Sequence, residues 1–215
     1  MISKNLWVII LTIIIEFTNI FPQNESSALT GFWESVLVKD NYAEMIRFFP
    51  DKKYEIVSVA ASDYSYRLEH DTLITVLKTG DENKKEITDT SIIKIHGDTL
   101  FNFYKIKNNL YRTVLIKEKD VKDSNDGIAG SYYWNYPGGL IALSRFTGSG
   151  NLIFRLPRLW TTGSYTTRKN TLILHSKYLG DQKKYFWVKK KMLIIKDAAG
   201  RSESLYRKVD YFVKK

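Results

Sequence analysis

The side chains best spaced to act together are cations interleaved with aromatic rings. Arg155-Leu156-Pro157-Arg158-Leu159-Trp160 sets two guanidinium groups beside an indole. Lys183, Lys184, Lys189, Lys190 and Lys191 flank the apolar run 185–188. Cations clustered in this way attract an anionic partner and steer its approach. Arg155, Arg158 and the five lysines are therefore the candidate anion-binding residues. A second set is aromatic: Tyr66, Phe101, Phe103, Trp160, Tyr165 and Trp187. Where strands curl around a cavity, such rings line it and hold a small apolar or amphipathic ligand.

Side chains for catalysis are not grouped. His70, His96 and His175 fall in separate strands or turns, and none forms an HExxH or HxH pair. No metal ligand set is expected from them. No Gly-x-Ser-x-Gly elbow occurs, and Gly148-Ser149-Gly150 reads as a turn. No phosphate-cradling glycine loop precedes a helix. Asp63, Glu69 and Asp71 read as carboxylates that solvate exposed turns. The expectation is a non-enzymatic binding protein without metal or cofactor.

A repeat must position these residues. Ser65–Ile74, SYRLEHDTLI, returns ninety-nine positions later as Ser164–Ile173, SYTTRKNTLI, with five identities in ten. About one would arise by chance from ordinary residue usage. Upstream, Gly31-Phe32-Trp33 matches Gly130-Ser131-Tyr132, and Phe48 or Phe49 before a turn matches Phe146. Downstream, Ile93–Phe101 matches Phe186–Ile194, and Leu110-Tyr111-Arg112 matches Leu205-Tyr206-Arg207. The chain reads as two copies, 29–117 and 130–215, joined by the polar linker 118–129.

Apolar runs and turns alternate about every ten residues, the rhythm of an all-β chain. Each copy is expected to hold about eight short strands, with 53–60 separate from 64–68 and 151–156 separate from 162–167. Eight antiparallel strands in a meander can close into a barrel. The expected fold is therefore two tandem meander barrels, each stable alone. His70-Asp71 and Lys169-Asn170 would occupy the same hairpin turn in the two copies. The tail after Val209 is expected to be loosely held.

Residues 1–28 are set apart. Lys4 precedes the apolar run Leu6–Ile15, which is too short to span a bilayer, and Ser26-Ser27-Ala28 follows. This is the layout of a signal peptide, so export to the cell envelope or medium is expected. The chain has no cysteine, which excludes disulfide staples and thiol catalysis. Its net charge of +10 is uneven: 29–117 is balanced, while 130–215 holds 17 Lys and Arg against 4 Asp and Glu. That asymmetry suggests an anionic partner for the second copy, such as an acidic glycan, lipid headgroup or nucleic acid.

Gly-x-Trp at the first strand and an Arg in the last resemble the lipocalin and wider calycin pattern. The chain is similar to the small lipocalin-like domains of secreted bacterial proteins. The resemblance implies that Trp33 packs on Arg112, and Tyr132 on Arg207, to shut one end of each barrel. It also implies a small apolar or amphipathic ligand in a barrel, the preferred function, with the anionic surface as the alternative.

Overall fold

The computed structural model describes residues 25–37, 41–77, 86–118, 127–136 and 139–214. The apolar run of the expected signal peptide and most of the expected linker lie outside the described residues. A single turn of helix, α1 (Glu25–Leu29), precedes the strands. The first copy then forms β1 (Gly31–Ser35), β2 (Tyr42–Phe48), β3 (Lys53–Glu69), β4 (Thr72–Leu77), β5 (Thr88–His96), β6 (Thr99–Ile106) and β7 (Asn109–Lys117). The second forms β8 (Gly130–Tyr136), β9 (Leu140–Phe146), β10 (Asn151–Arg168), β11 (Thr171–Ser176), β12 (Gly180–Lys189), β13 (Met192–Asp197) and β14 (Glu203–Val209). Each copy thus has seven strands, not eight. The runs expected as separate strands fuse into the long β3 and β10.

Each strand pairs antiparallel with the next, and β1 pairs with β14, so fourteen strands close into one ring. Alternation is clearest in β11, where Leu172, Leu174 and Ser176 are buried between half-buried neighbours. Tight turns hold the register. His70 (φ 59°) and Lys169 (φ 50°) take the left-handed conformation at the same place in the two copies.

The ring is not empty at its centre. β3 and β10 pair with each other from Ser65↔Asn151 to Lys53↔Ser164, with a bulge between Pro157 and Leu159. A proline in an interior strand is tolerated at such a bulge. This seam divides the ring into two closed circuits of eight strands that share β3 and β10. The first circuit takes the front of β3 with β2 and β1, then β14 to β11 and the back of β10. The second takes the back of β3 with β4 to β9 and the front of β10. Each circuit draws strands from both copies. The closed path therefore does not coincide with the copy boundaries expected from the repeat.

The repeated Ser-Tyr sits at this exchange. Tyr66 donates its hydroxyl to the Thr147 carbonyl (2.8 Å), and Tyr165 donates to the Phe49 carbonyl (3.1 Å). Their backbone amides donate to Gly150 and Lys52, both at 2.7 Å. Tyr66 lies edge-on to Phe146, and Tyr165 edge-on to Phe48. Each copy's tyrosine thus locks the turn of the other.

The expected closing pairs do not form. The cation over Trp33 is Lys208 (5.4 Å), and the one over Tyr132 is Lys117 (5.9 Å). Arg112 is exposed on β7 opposite Phe103, and Arg207 binds Glu34. The reason is register. Tyr206 stands opposite Leu193 as Leu115 stands opposite Leu100, so Leu-Tyr-Arg in the two last strands is not equivalent.

The first circuit is filled by Trp33, Ile46, Phe48, Tyr54, Tyr165, Leu172, Leu174, Phe186, Leu193, Ile195 and Tyr206, with Leu29 of α1 packed against them. Gly163 makes room for Tyr54: a Cβ there would lie 2.1 Å from the His175 carbonyl and 2.8 Å from the Tyr54 ring. Gly163→Ala should therefore lower stability by about 3 kcal/mol, at the severe end for an overpacked core. Denaturant unfolding measures it, and a loss below 1 kcal/mol would mean that both the His175 backbone and the Tyr54 ring have room to move.

The tail after Val209 is not loose. Tyr211, Phe212 and Val213 are buried at the junction of the circuits with Met45, Val57 and Leu143. Phe212 stacks on Phe32 and meets Trp160 edge-on.

Candidate ligand cavity

The second circuit holds a cavity of about 480 Å³, open to solvent on one side, to which all eight of its strands contribute. Its apolar wall includes Leu73 of β4, Leu100 of β6, Leu115 of β7, Phe146 of β9 and Leu152 of β10. Tyr64, Tyr104, Trp134 and Phe154 add aromatic faces. Small polar groups stand among them: Thr75, Ser91, Asn102, Thr113 and Ser144. Asp89 and Lys105 also line it, and both are exposed.

Some of these groups are already bonded. Trp134 donates its indole N–H to Ser144 Oγ (3.1 Å), and Thr113 donates to the Tyr104 hydroxyl (3.5 Å). Burial pushes the Tyr64 phenol up, and the Asp89 carboxylate adds to the shift, so Tyr64 stays protonated at neutral pH. Asn102 Oδ1 is buried without a hydrogen-bond partner.

The two circuits differ at equivalent positions. Thr75 stands opposite Tyr66 where Leu174 stands opposite Tyr165. Ser144 precedes Phe146 as Ile46 precedes Phe48, and Asn102 follows Leu100 as Ile195 follows Leu193. Leu152 opposite Tyr64 replaces Tyr54 opposite Gly163, and Leu115 replaces Tyr206. At five of these positions the filled circuit carries the larger or more apolar side chain; at the sixth, Gly163 stands where the open circuit has Tyr64.

No family model, curated protein or solved structure matches the chain.

Of the six aromatics expected to line a cavity, five stand elsewhere and Trp160 lines a separate opening of about 530 Å³. Phe101 and Phe103 occupy the opposite face of β6 from Leu100, Asn102 and Tyr104. Tyr66 packs against the second circuit's core, whose Leu73, Leu100, Leu115 and Phe146 also line the cavity, and Tyr165 is buried in the filled circuit. Trp160 packs at the junction, and Trp187 is exposed on β12 while its neighbour Phe186 points inward. Trp134, Tyr64, Tyr104 and Phe154 are the rings that do line the cavity.

The expected anion-binding set also changes. Arg155 is fully buried at the junction, not on a surface. Its Nε donates to Glu34 Oε1 (2.5 Å) and its Nη1 to Asp63 (2.6 Å). Glu34, equally buried, also accepts from Arg207 and from the Tyr211 hydroxyl. Burial pushes the Glu34 carboxyl up, but Arg155 and Arg207 outweigh it and hold it below its ordinary value. Arg158, Lys183, Lys189, Lys190 and Lys191 are exposed, and Lys184 is half-buried. A second opening of about 650 Å³ is lined by Arg145, Lys191, Arg207 and Lys208 with Asp63 and Asp210. There Arg145 is paired with Asp210 and Arg207 with Glu34.

His175 pairs with the exposed Asp181 (2.8 Å). Among the described residues, no group of three His, Asp or Glu side chains could hold a metal. Nor is any helix among them long and apolar enough to cross a membrane.

Proposed function

We propose that this protein is a non-enzymatic, lipocalin-like carrier whose two circuits act as fused small barrels, the second binding an amphipathic molecule. The carrying observation is the contrast between equivalent positions. Folding is served by Leu174, Ile195 and Ile46 in one circuit, yet Thr75, Asn102 and Ser144 leave the other open. An unfilled apolar core forfeits packing energy, about 24 cal/mol per Å³ of cavity. A cavity of about 480 Å³ with convergent polar groups lies within the range of small-molecule sites. The alternative, adhesion to an anionic surface, loses Arg155 to the buried ion cluster and rests on the exposed lysines. Export to the envelope or medium belongs to the same proposal and rests on the run Leu6–Ile15.

The test fills the cavity. N-phenyl-1-naphthylamine, a neutral fluorescent probe, should bind the wild type at one molecule per chain. The triple variant Thr75→Leu, Asn102→Ile, Ser144→Ile, which copies the filled circuit, should lose that binding while its Tm stays level or rises. Equal binding by a folded triple variant would place the probe elsewhere and defeat the proposal.

A further inference from the structure

We propose that the ligand is a flat, ring-shaped apolar molecule carrying a hydroxyl, seated with that hydroxyl against Asn102. This rests on the cavity being the binding site. A buried amide oxygen without a partner costs free energy that a bonded one does not. Asn102 Oδ1 is in that state. A half-turn of the carboxamide exchanges its oxygen and its NH₂, so the residue can present either end to a ligand. A hydroxyl suits both ends because it donates and accepts.

The neighbours of Asn102 point the same way. Thr113 is its Cα partner across β6 and β7. Thr75, Ser91 and Ser144 also line the cavity, so four hydroxyls share it with one amide. None of these five side chains is ionised, and the charged lining groups Asp89 and Lys105 are exposed, so the buried part matches a neutral hydroxyl better than a carboxylate or phosphate. The rings of Trp134 and Phe154 stand 6.2 Å apart, tilted at 37°, an aromatic wall that suits a planar body.

A matched pair of probes isolates the hydroxyl. 2-Naphthol and 2-methylnaphthalene have nearly the same shape. An all-apolar cavity would prefer the methyl compound, because burying a hydroxyl without a partner is costly. Competition against N-phenyl-1-naphthylamine on the full chain should instead show 2-naphthol binding at least about ten-fold more tightly. Asn102→Leu, close in size and apolar, should still bind 2-methylnaphthalene but reverse the order. Equal affinities, or preference for the methyl compound in the wild type, would overturn the hydroxyl inference and leave the cavity standing. Failure of both compounds to compete would overturn both. If Asn102→Leu does not fold, the wild-type ratio alone decides.

Discussion

Glu34→Ala should destabilise the protein by about 3–5 kcal/mol, the cost of leaving a buried guanidinium without its carboxylate. Arg155 is wholly inaccessible, and among the described residues Glu34 is its only fully buried anionic partner, since Asp63 is half-exposed. Arg155 Nη2 already lacks a partner, so no spare acceptor stands ready. Removing the arginine as well should reverse most of the loss. Glu34→Leu with Arg155→Met should be much more stable than Glu34→Ala, because an apolar pair can replace a buried ion pair at little cost. Acid gives a second readout. The folded pKa of Glu34 is depressed below its ordinary value of 4.5. Its contribution is therefore fully present above that value and is lost as pH falls through the depressed folded pKa. Denaturant unfolding across that window should show a steeper acid loss in the wild type than in the double variant. A Glu34→Ala loss under 1 kcal/mol would mean that Asp63 alone satisfies Arg155.

Cutting the chain within 119–126 should leave the protein assembled, whereas either copy expressed alone should not fold. β7 and β8, on either side of the cut, stay joined through Ile116↔Tyr133 and Lys117↔Tyr132. The seam joins β3 to β10 through thirteen residue pairs, and β1 with β14 adds four more. The cut halves should co-elute at neutral pH and separate only in denaturant. Residues 25–118 and 127–214, expressed apart, should lack a cooperative transition and regain one when mixed. Independent melting of each copy would show that the strands can re-pair within one copy.

The strands were legible because apolar runs and turn residues recur at close intervals, and the His70 and Lys169 hairpins fell where the repeat put them. The seam was not legible. Ser65-Tyr66 and Ser164-Tyr165 announced a repeat, but which turn each tyrosine locks depends on contacts far apart in sequence. A strand pattern is the same whether its partner is in its own copy or the other. The closing motif misled because Leu-Tyr-Arg recurs by letter while the strands pair four residues out of step. An aromatic side chain marks the core as readily as a cavity wall. Phe101 and Phe103 alternate with Asn102, and strict alternation forces one set outward. A better signal was in the repeat itself. Where one copy places Leu174 and the other Thr75, the pair marks a difference that folding does not require.

The seam has a consequence for how such a chain could come to exist. A single copy has one long strand, and it cannot close either circuit with its own strands. It could close both only by meeting a second identical copy across a two-fold axis through the long strands. In that homodimer the two interiors would be obliged to be the same, because every substitution would appear in both. Fusion into one polypeptide removes that obligation. Trp33, Tyr54 and Tyr206 can pack one interior tightly to hold the molecule together. The other is then at liberty to stay open.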